Sequence, residues 1–236
     1  QEDDYGNIKF IPDRKGVLHV LERPKADEYY CIGADVAEGH SDGDYSVGVV
    51  GDYGSNIKAM WYGHIDPDLY GYELVKLGKW YNQAFLGVEN NNHGLATLKA
   101  IQRFDYPDLY YSKIYDRMSE NYTTKLGWTT STKTKPLMID YLREFIREKH
   151  LDIPFKTIVQ ELLTFIFTDK GTMEAQTGSH DDCVMALAIY LQLLNEGRNA
   201  TMEVETDPYA RIMDQELGYD DDMDAGTDFC GIEYIN

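Results

Sequence analysis

The stretch YYCIGADVAEG, residues 29–39, contains the pattern that decides the fold. Alternate residues of a strand face opposite sides, and the two sets here are Tyr30, Ile32 and Ala34 against Tyr29, Cys31 and Gly33. Asp35 stands at the end of this predicted strand. Two β-rich runs follow, SVGVVGDY (46–53) and IKAMWYGHI (57–65), separated by a short turn. The three runs together predict an antiparallel meander.

The next segment predicts a parallel strand between two helices. The run DPDLYGYELVKLGKWYNQ (66–83) has its apolar residues at helical spacing, with a proline in the first turn. AFLGVEN (84–90) is a short apolar run typical of a buried parallel strand, and HGLATLKAIQRF (93–104) returns to helical spacing. This order places Glu89 at the carboxyl end of the parallel strand.

The remaining elements complete a mixed α/β order. DLYYSKIY (108–115) predicts a fifth strand, and the threonine-rich segment 121–135 is a candidate hairpin around Gly127. PLMIDYLREFIREKH (136–150) predicts an amphipathic helix, and DDCVMALAIYLQLL (181–194) predicts a buried one. The whole order predicts a ribonuclease-H-like mixed β-sheet, with three antiparallel strands and then parallel strands, flanked by helices.

Carboxylates stand at the ends of these apolar elements: Asp35, Glu89, Asp181 and Asp182. Such clusters hold Mg²⁺ or Mn²⁺, because hard cations take oxygen ligands. Two such ions about 3.5–4 Å apart can clamp the attacking and leaving oxygens of a phosphodiester displacement. The four residues are therefore the predicted catalytic and metal-binding set of a nuclease.

Each of these carboxylates also has a purely structural interpretation. Asp35 is suited to a turn after a strand, and Glu89 precedes a polar loop that would cap the next helix. Asp181 and Asp182 stand where helix caps are expected. One aspartate suffices for capping, and the surplus acid beside an apolar helix favours a cation.

Further residues are candidates for supporting roles. Asp44 is a candidate ligand of a second ion, although turn formation is its default interpretation. His180 either contacts the metal ligands without binding the ion itself, positions a water molecule or is a loop residue. Basic residues are predicted to contact DNA phosphates, with a solvated surface as the alternative: Arg117, Lys125, Lys133 and Lys135.

The distribution of charge bears on a nucleic-acid partner. The net charge of −19 opposes a basic footprint, but residues 201–236 alone contribute −10, with eleven acidic residues against Arg211. Between Lys99 and Lys149, ten basic residues outnumber seven acidic ones, so a DNA-facing surface should draw on this stretch. The sequence contains neither a run of about 18 apolar residues nor a signal peptide, which predicts a cytoplasmic protein without a membrane partner.

Four strings, in order between about residues 29 and 194, resemble the nuclease domain of the large terminase subunit of tailed bacteriophages. They are GADVAEGHSDGDYSV, GVENNNHG, GWTTSTKTKPLMIDYLREFI, and ELLTFIF with GSHDDCVMALAIYLQL. The resemblance implies a metal-dependent endonuclease, with two Mg²⁺ or Mn²⁺ ions, that cuts concatemeric viral double-stranded DNA in the host cytoplasm. It implies that Asp35 and Glu89 hold metal. The third acidic position falls on the aspartates after His180, where Asp182 is favoured and Asp181 is a second ligand or an orienting group.

The resemblance also implies partners and a domain division. The partners are double-stranded DNA, the portal protein, the small terminase subunit and the ATPase domain of the full-length chain. No GxxxxGK[ST] motif occurs, so we expect an extension from a missing ATPase domain at residues 1–28, the nuclease domain at 29–196 and an acidic tail at 197–236. Two alternatives stay open: a Holliday-junction resolvase or transposase of the same fold, and a catalytically silent module that docks on the portal.

Overall fold

A computed structural model describes residue 3 and residues 7–116, 121–168 and 172–206. The chain divides into two compact units, residues 1–197 and 198–236. The first unit contains the central sheet and all the predicted carboxylates. The domain division expected from the sequence stays a prediction.

The central sheet has five strands: β1 (Leu18–Val20), β2 (Tyr30–Asp35), β3 (Ser46–Asp52), β4 (Ile57–Gly63) and β5 (Phe85–Val88). Their spatial order is β1-β4-β3-β2-β5. Strands β2, β3 and β4 pair antiparallel, and β5 pairs parallel to β2, so the predicted mixed sheet is confirmed. Strand β1 was not predicted. It adds an antiparallel edge beside β4, within the segment expected to be an extension.

Helices cover both faces of the sheet: α1 (Pro67–Trp80), α2 (Asn92–Arg103), α3 (Thr134–Arg147), α4 (Lys156–Thr164) and α5 (Asp182–Thr206). Ile32 and Leu86 belong to the core formed with α1 and α2. Cys31 and Val49 belong to the core formed with α3, α4 and α5. The alternation expected in β2 therefore divides its side chains between two cores. Among the helical residues described, no stretch combines the length and the apolar character needed to cross a bilayer.

Helix α5 lies directly against β2 because β2 contains a glycine where the two backbones meet. A Cβ on Gly33 would overlap the Tyr190 amide nitrogen and the Ala186 carbonyl oxygen. On the neighbouring strand, a Cβ on Gly87 would come within 2.7 Å of the Leu193 side chain. These close approaches fix the position of α5 relative to the strand ends.

The segment after α2 differs from the prediction. Strand β6 (Tyr111–Asp116) pairs with β7 (Asn121–Leu126) in a separate two-stranded ribbon, so the hairpin is not centred on Gly127. Gly127 has a φ of 77° and turns the chain back beside β5, where the Trp128 amide donates to the Val88 carbonyl at 2.8 Å. Within the described part of the chain, the sheet is extended there by isolated bridges, such as Leu86 with Leu109. A second short ribbon joins β8 (Phe165–Phe167) to β9 (Met173–Ala175).

A candidate metal centre

Two carboxylates come together because of the register between β2 and β5. Ala34 lies opposite Val88 in this parallel pair, so the next residues, Asp35 and Glu89, are adjacent. The Glu89 amide donates to the Ala34 carbonyl at 2.9 Å and continues the pairing. Burial, followed by the charge of the Glu89 carboxylate, raises the pKa of Asp35 well above its usual range. Asp35 is only 8% exposed, so its ionised form has little help from water.

A third carboxylate enters from α5. Asp182 is the first residue of that helix, and its Oδ2 accepts a hydrogen bond from the Tyr45 amide at 2.9 Å. Burial raises the pKa of Asp182 to about 7, and the charges of Asp44 and Glu161 add to that effect. The charge of Asp182 in turn helps to raise the pKa of Asp35. These buried acids fit a cation, since a bound cation would favour their ionised forms.

The structure also brings Asp44 and His180 to Asp182. His180 Nδ1 lies 3.0 Å from Asp44 Oδ1 and 3.7 Å from Asp182 Oδ2. All three residues offer ligand atoms within 4.8 Å of one another. The Asp44 side chain is 72% exposed, which leaves it accessible from solvent. This trio could hold one cation through two carboxylates and an imidazole.

Asp181 has a different environment from Asp182. Its Oδ2 lies 3.2 Å from Lys135 Nζ, and Lys135 also stands 5.6 Å from the centre of the Phe165 ring. Lys135 is therefore directed into the carboxylate cluster. Lys125 and Lys133 have exposed side chains on β7 and before α3, and Arg117 lies outside the described residues.

A cavity of about 530 Å³ contains all four predicted carboxylates together with Asp44 and Lys135. Its lining includes residues that the sequence did not single out: Glu38, His40, Asn91, His93, Thr130 and Met185. His93 Nε2 lies 3.2 Å from Glu38 Oε1 at the rim of this cavity. The chemistry available here is that of a cation-binding acidic site with one lysine and several imidazoles.

Asn91, rather than Glu89, caps helix α2, which decides between the two interpretations of Glu89. The Asn91 side chain accepts from the Gly94 amide at 2.7 Å and so caps α2. It also donates to Glu89 Oε2 at 2.9 Å. Capping is thus the work of Asn91, while Glu89 is held in place at the cavity.

A residue of α4 also acts at the start of α5. Glu161 Oε2 accepts hydrogen bonds from the amides of Cys183 at 2.7 Å and Val184 at 3.4 Å. The side chain of Glu161 therefore occupies the capping role expected for the aspartate pair. The only signal in the sequence was the string ELLTFIF, in which Glu161 looks like an ordinary helical residue.

No family model matches the chain. Its structure is nevertheless similar to solved nuclease domains of large terminases. The large terminase nuclease from thermophilic phage G20c with bound magnesium is 27% identical, with a TM-score of 0.59 over 76% of this chain and 89% of that chain. The same nuclease with bound cobalt is 26% identical, with a TM-score of 0.59 over the same shares.

A second phage gives the same result. The Thermus phage P74-26 large terminase nuclease domain is 28% identical, with a TM-score of 0.54 over 75% of this chain and 86% of that chain. The similarity covers most of each solved domain as well as most of this chain. The resemblance and the fold predicted from the sequence are therefore confirmed: over about three quarters of its length, this protein has the fold of a large terminase nuclease domain.

Proposed function

We propose that this protein is a metal-dependent endonuclease that cuts concatemeric viral double-stranded DNA during genome packaging. The observation that carries the proposal is the convergence of Asp35, Glu89 and Asp182 in one cavity. They come from the ends of two adjacent parallel strands and from the first residue of a helix. The similarity to terminase nuclease domains, one of them with bound magnesium, supports the same function.

Asp35, Glu89 and Asp182 are the proposed ligands. Asp182 is a better direct ligand than Asp181, because the Asp181 carboxylate pairs with Lys135. We assign Asp181 to orienting Lys135, and Asp44 with His180 to a second ion position beside Asp182. Two bound Mg²⁺ or Mn²⁺ ions would activate water and stabilise the charge that develops at phosphorus. The buried carboxylates would hold the ions, and Lys135 would face the phosphate from the same cavity.

The proposed DNA contacts are the basic residues Arg117, Lys125, Lys133 and Lys135. Such contacts neutralise phosphates, so binding should weaken as salt concentration rises. The portal protein, the small terminase subunit and an ATPase domain are the proposed protein partners, and the host cytoplasm is the proposed location.

A plasmid assay tests the function. We expect supercoiled DNA to become nicked and linear with Mn²⁺ or Mg²⁺, and to stay intact with EDTA. Asp35→Asn should abolish cleavage while the protein stays folded, because it removes a ligand charge with little change in volume. Asp42→Asn is the matched control, since Asp42 is an exposed residue outside the cavity lining.

Three outcomes would contradict the proposal. Full cleavage by the Asp35→Asn variant would remove Asp35 from the site. Failure of the unchanged protein to cut at any metal concentration, with portal binding retained, would favour the docking module. Strong preference for branched over linear duplexes would favour a resolvase.

A further inference from the structure

Glu161 is a buried acidic residue that the proposed chemistry does not use. It lies in α4, is 6% exposed and accepts hydrogen bonds from two amides in the first turn of α5. Its other carboxylate oxygen, Oε1, is buried and has no hydrogen-bond partner among the described residues. A carboxylate in this position must offset the cost of its own burial through the contacts of Oε2.

The amides that Glu161 binds are those that an N-cap side chain normally binds. Asp181 immediately precedes α5, and its carbonyl accepts from the Met185 amide in the first intrahelical hydrogen bond. An aspartate in this place usually turns its own carboxylate back to the amides two and three residues later. Those amides belong to Cys183 and Val184, and Glu161 already occupies them.

Both aspartates are consequently available to the cavity. The Asp181 carboxylate reaches Lys135 Nζ at 3.2 Å instead of the helix amides. The Asp182 carboxylate reaches the Tyr45 amide and lines the cavity with Asp35. Without Glu161, the open amides would compete for these carboxylates, because unsatisfied amides at a helix start are costly when buried.

We propose that Glu161 is a positioning residue. It caps α5 from the neighbouring helix α4, so that the carboxylates of Asp181 and Asp182 stay directed into the cation site. The inference rests on the proposed function in so far as the site binds a cation. The role depends on reach, since the acceptor must extend from α4 to the amides of α5. A role through charge alone would predict a different response to substitution.

Two variants of the full chain separate reach from charge. Glu161→Gln keeps an oxygen acceptor at the same distance and removes the charge. Glu161→Asp keeps the charge and withdraws the acceptor by one methylene, about 1.5 Å. Mn²⁺ binding is measured by calorimetry and electron paramagnetic resonance, at matched folded fraction by circular dichroism.

We expect the Gln variant to bind Mn²⁺ within about threefold of the unchanged protein, and the Asp variant to bind about tenfold more weakly, which corresponds to about 1.4 kcal/mol. Equal binding by the unchanged protein and the Asp variant would overturn the inference. Weaker binding by the Gln variant than by the Asp variant would also overturn it, because charge rather than reach would then matter. Failure of the unchanged protein to bind Mn²⁺ would instead overturn the proposed function, and the inference with it.

Discussion

At the scale of single residues, Lys135 stands out because it is the lysine among the described residues that line the cavity. Its ammonium pairs with Asp181 at 3.2 Å, and both side chains are partly exposed. A pair of this kind contributes little to stability, typically about 0.2–1 kcal/mol. We therefore expect Lys135 to contribute to DNA binding rather than to the stability of the fold.

Lys135→Met is expected to raise the DNA concentration needed for half-maximal cleavage, with little change in the free energy of unfolding. The variant keeps an unbranched side chain but cannot form an ion pair with a phosphate. The slope of the logarithm of the DNA-binding constant against the logarithm of salt concentration should therefore become shallower by about one. Lys99→Met is the control, since Lys99 is exposed on α2 and outside the cavity lining. Equal salt dependence in the two variants would contradict the assignment of Lys135 to phosphate binding.

At the scale of elements, the contact between α5 and β2 determines where Asp182 lies. Gly33 leaves no room for a Cβ against the backbone of α5. Gly33→Ala should push the helix away and destabilise the protein by about 1–3 kcal/mol, as overpacking usually does. Urea unfolding measures this loss, and Mn²⁺ binding should weaken with it, because Asp182 begins the displaced helix.

Gly43→Ala provides the matched comparison, because a Cβ there would have its nearest contact at 3.6 Å, an ordinary distance. A Gly33→Ala variant as stable as Gly43→Ala would mean that α5 does not lie against β2 in this way.

The elements also show what a sequence can predict. The meander, the parallel strand and the helices were predictable because hydrophobic periodicity is a local property. The partner of β6 was not, since 108–115 reads equally well as a sheet strand or as half of a ribbon. Asp35 and Glu89 could be placed at strand ends, and the parallel order brought them together.

Contacts between distant parts of the chain were harder to foresee. The hydrogen bond between His180 and Asp44 spans 136 positions, and the cap from Glu161 to Cys183 crosses between two helices. Neither Glu161 in α4 nor Asp44 in the loop before β3 lies in a sequence pattern that identifies its partner. Such pairs depend on how helices pack on the sheet, which periodicity does not encode.

At the scale of the whole molecule, folding brings several acidic side chains into one cavity of a protein whose net charge is already −19. Burial raises the pKa of Asp182 to about 7, against about 3.9 for an unfolded aspartate. The pKa of Asp35 is raised in the same direction, also mainly by burial. Between about pH 4 and about pH 7, the folded state holds a proton on Asp182 that the unfolded chain releases, so stability falls as pH rises.

We therefore expect the protein in EDTA to have a lower free energy of unfolding at about pH 7.5 than at about pH 5.5. The comparison starts at about pH 5.5 because Glu22 and Asp52, whose pKa values are lowered, change the free energy of unfolding in the opposite direction at lower pH. Asp182→Asn should reduce this difference, because asparagine can still accept from the Tyr45 amide but does not ionise. Asp42→Asn should leave it unchanged, and a rise in stability over this interval would contradict the expectation.

The register between β2 and β5 also limits how the chain can change in length. Side chains alternate between faces along a strand, so the loss or gain of one residue inside either strand would turn Asp35 or Glu89 toward α1 and α2. The loop between β2 and β3, residues 36–45, is restricted as well, because Asp44 and the Tyr45 amide must reach Asp182. Insertions and deletions that arise during evolution should therefore accumulate in loops that contribute no residue to the cavity, while the strands that end at the two acids keep a constant length.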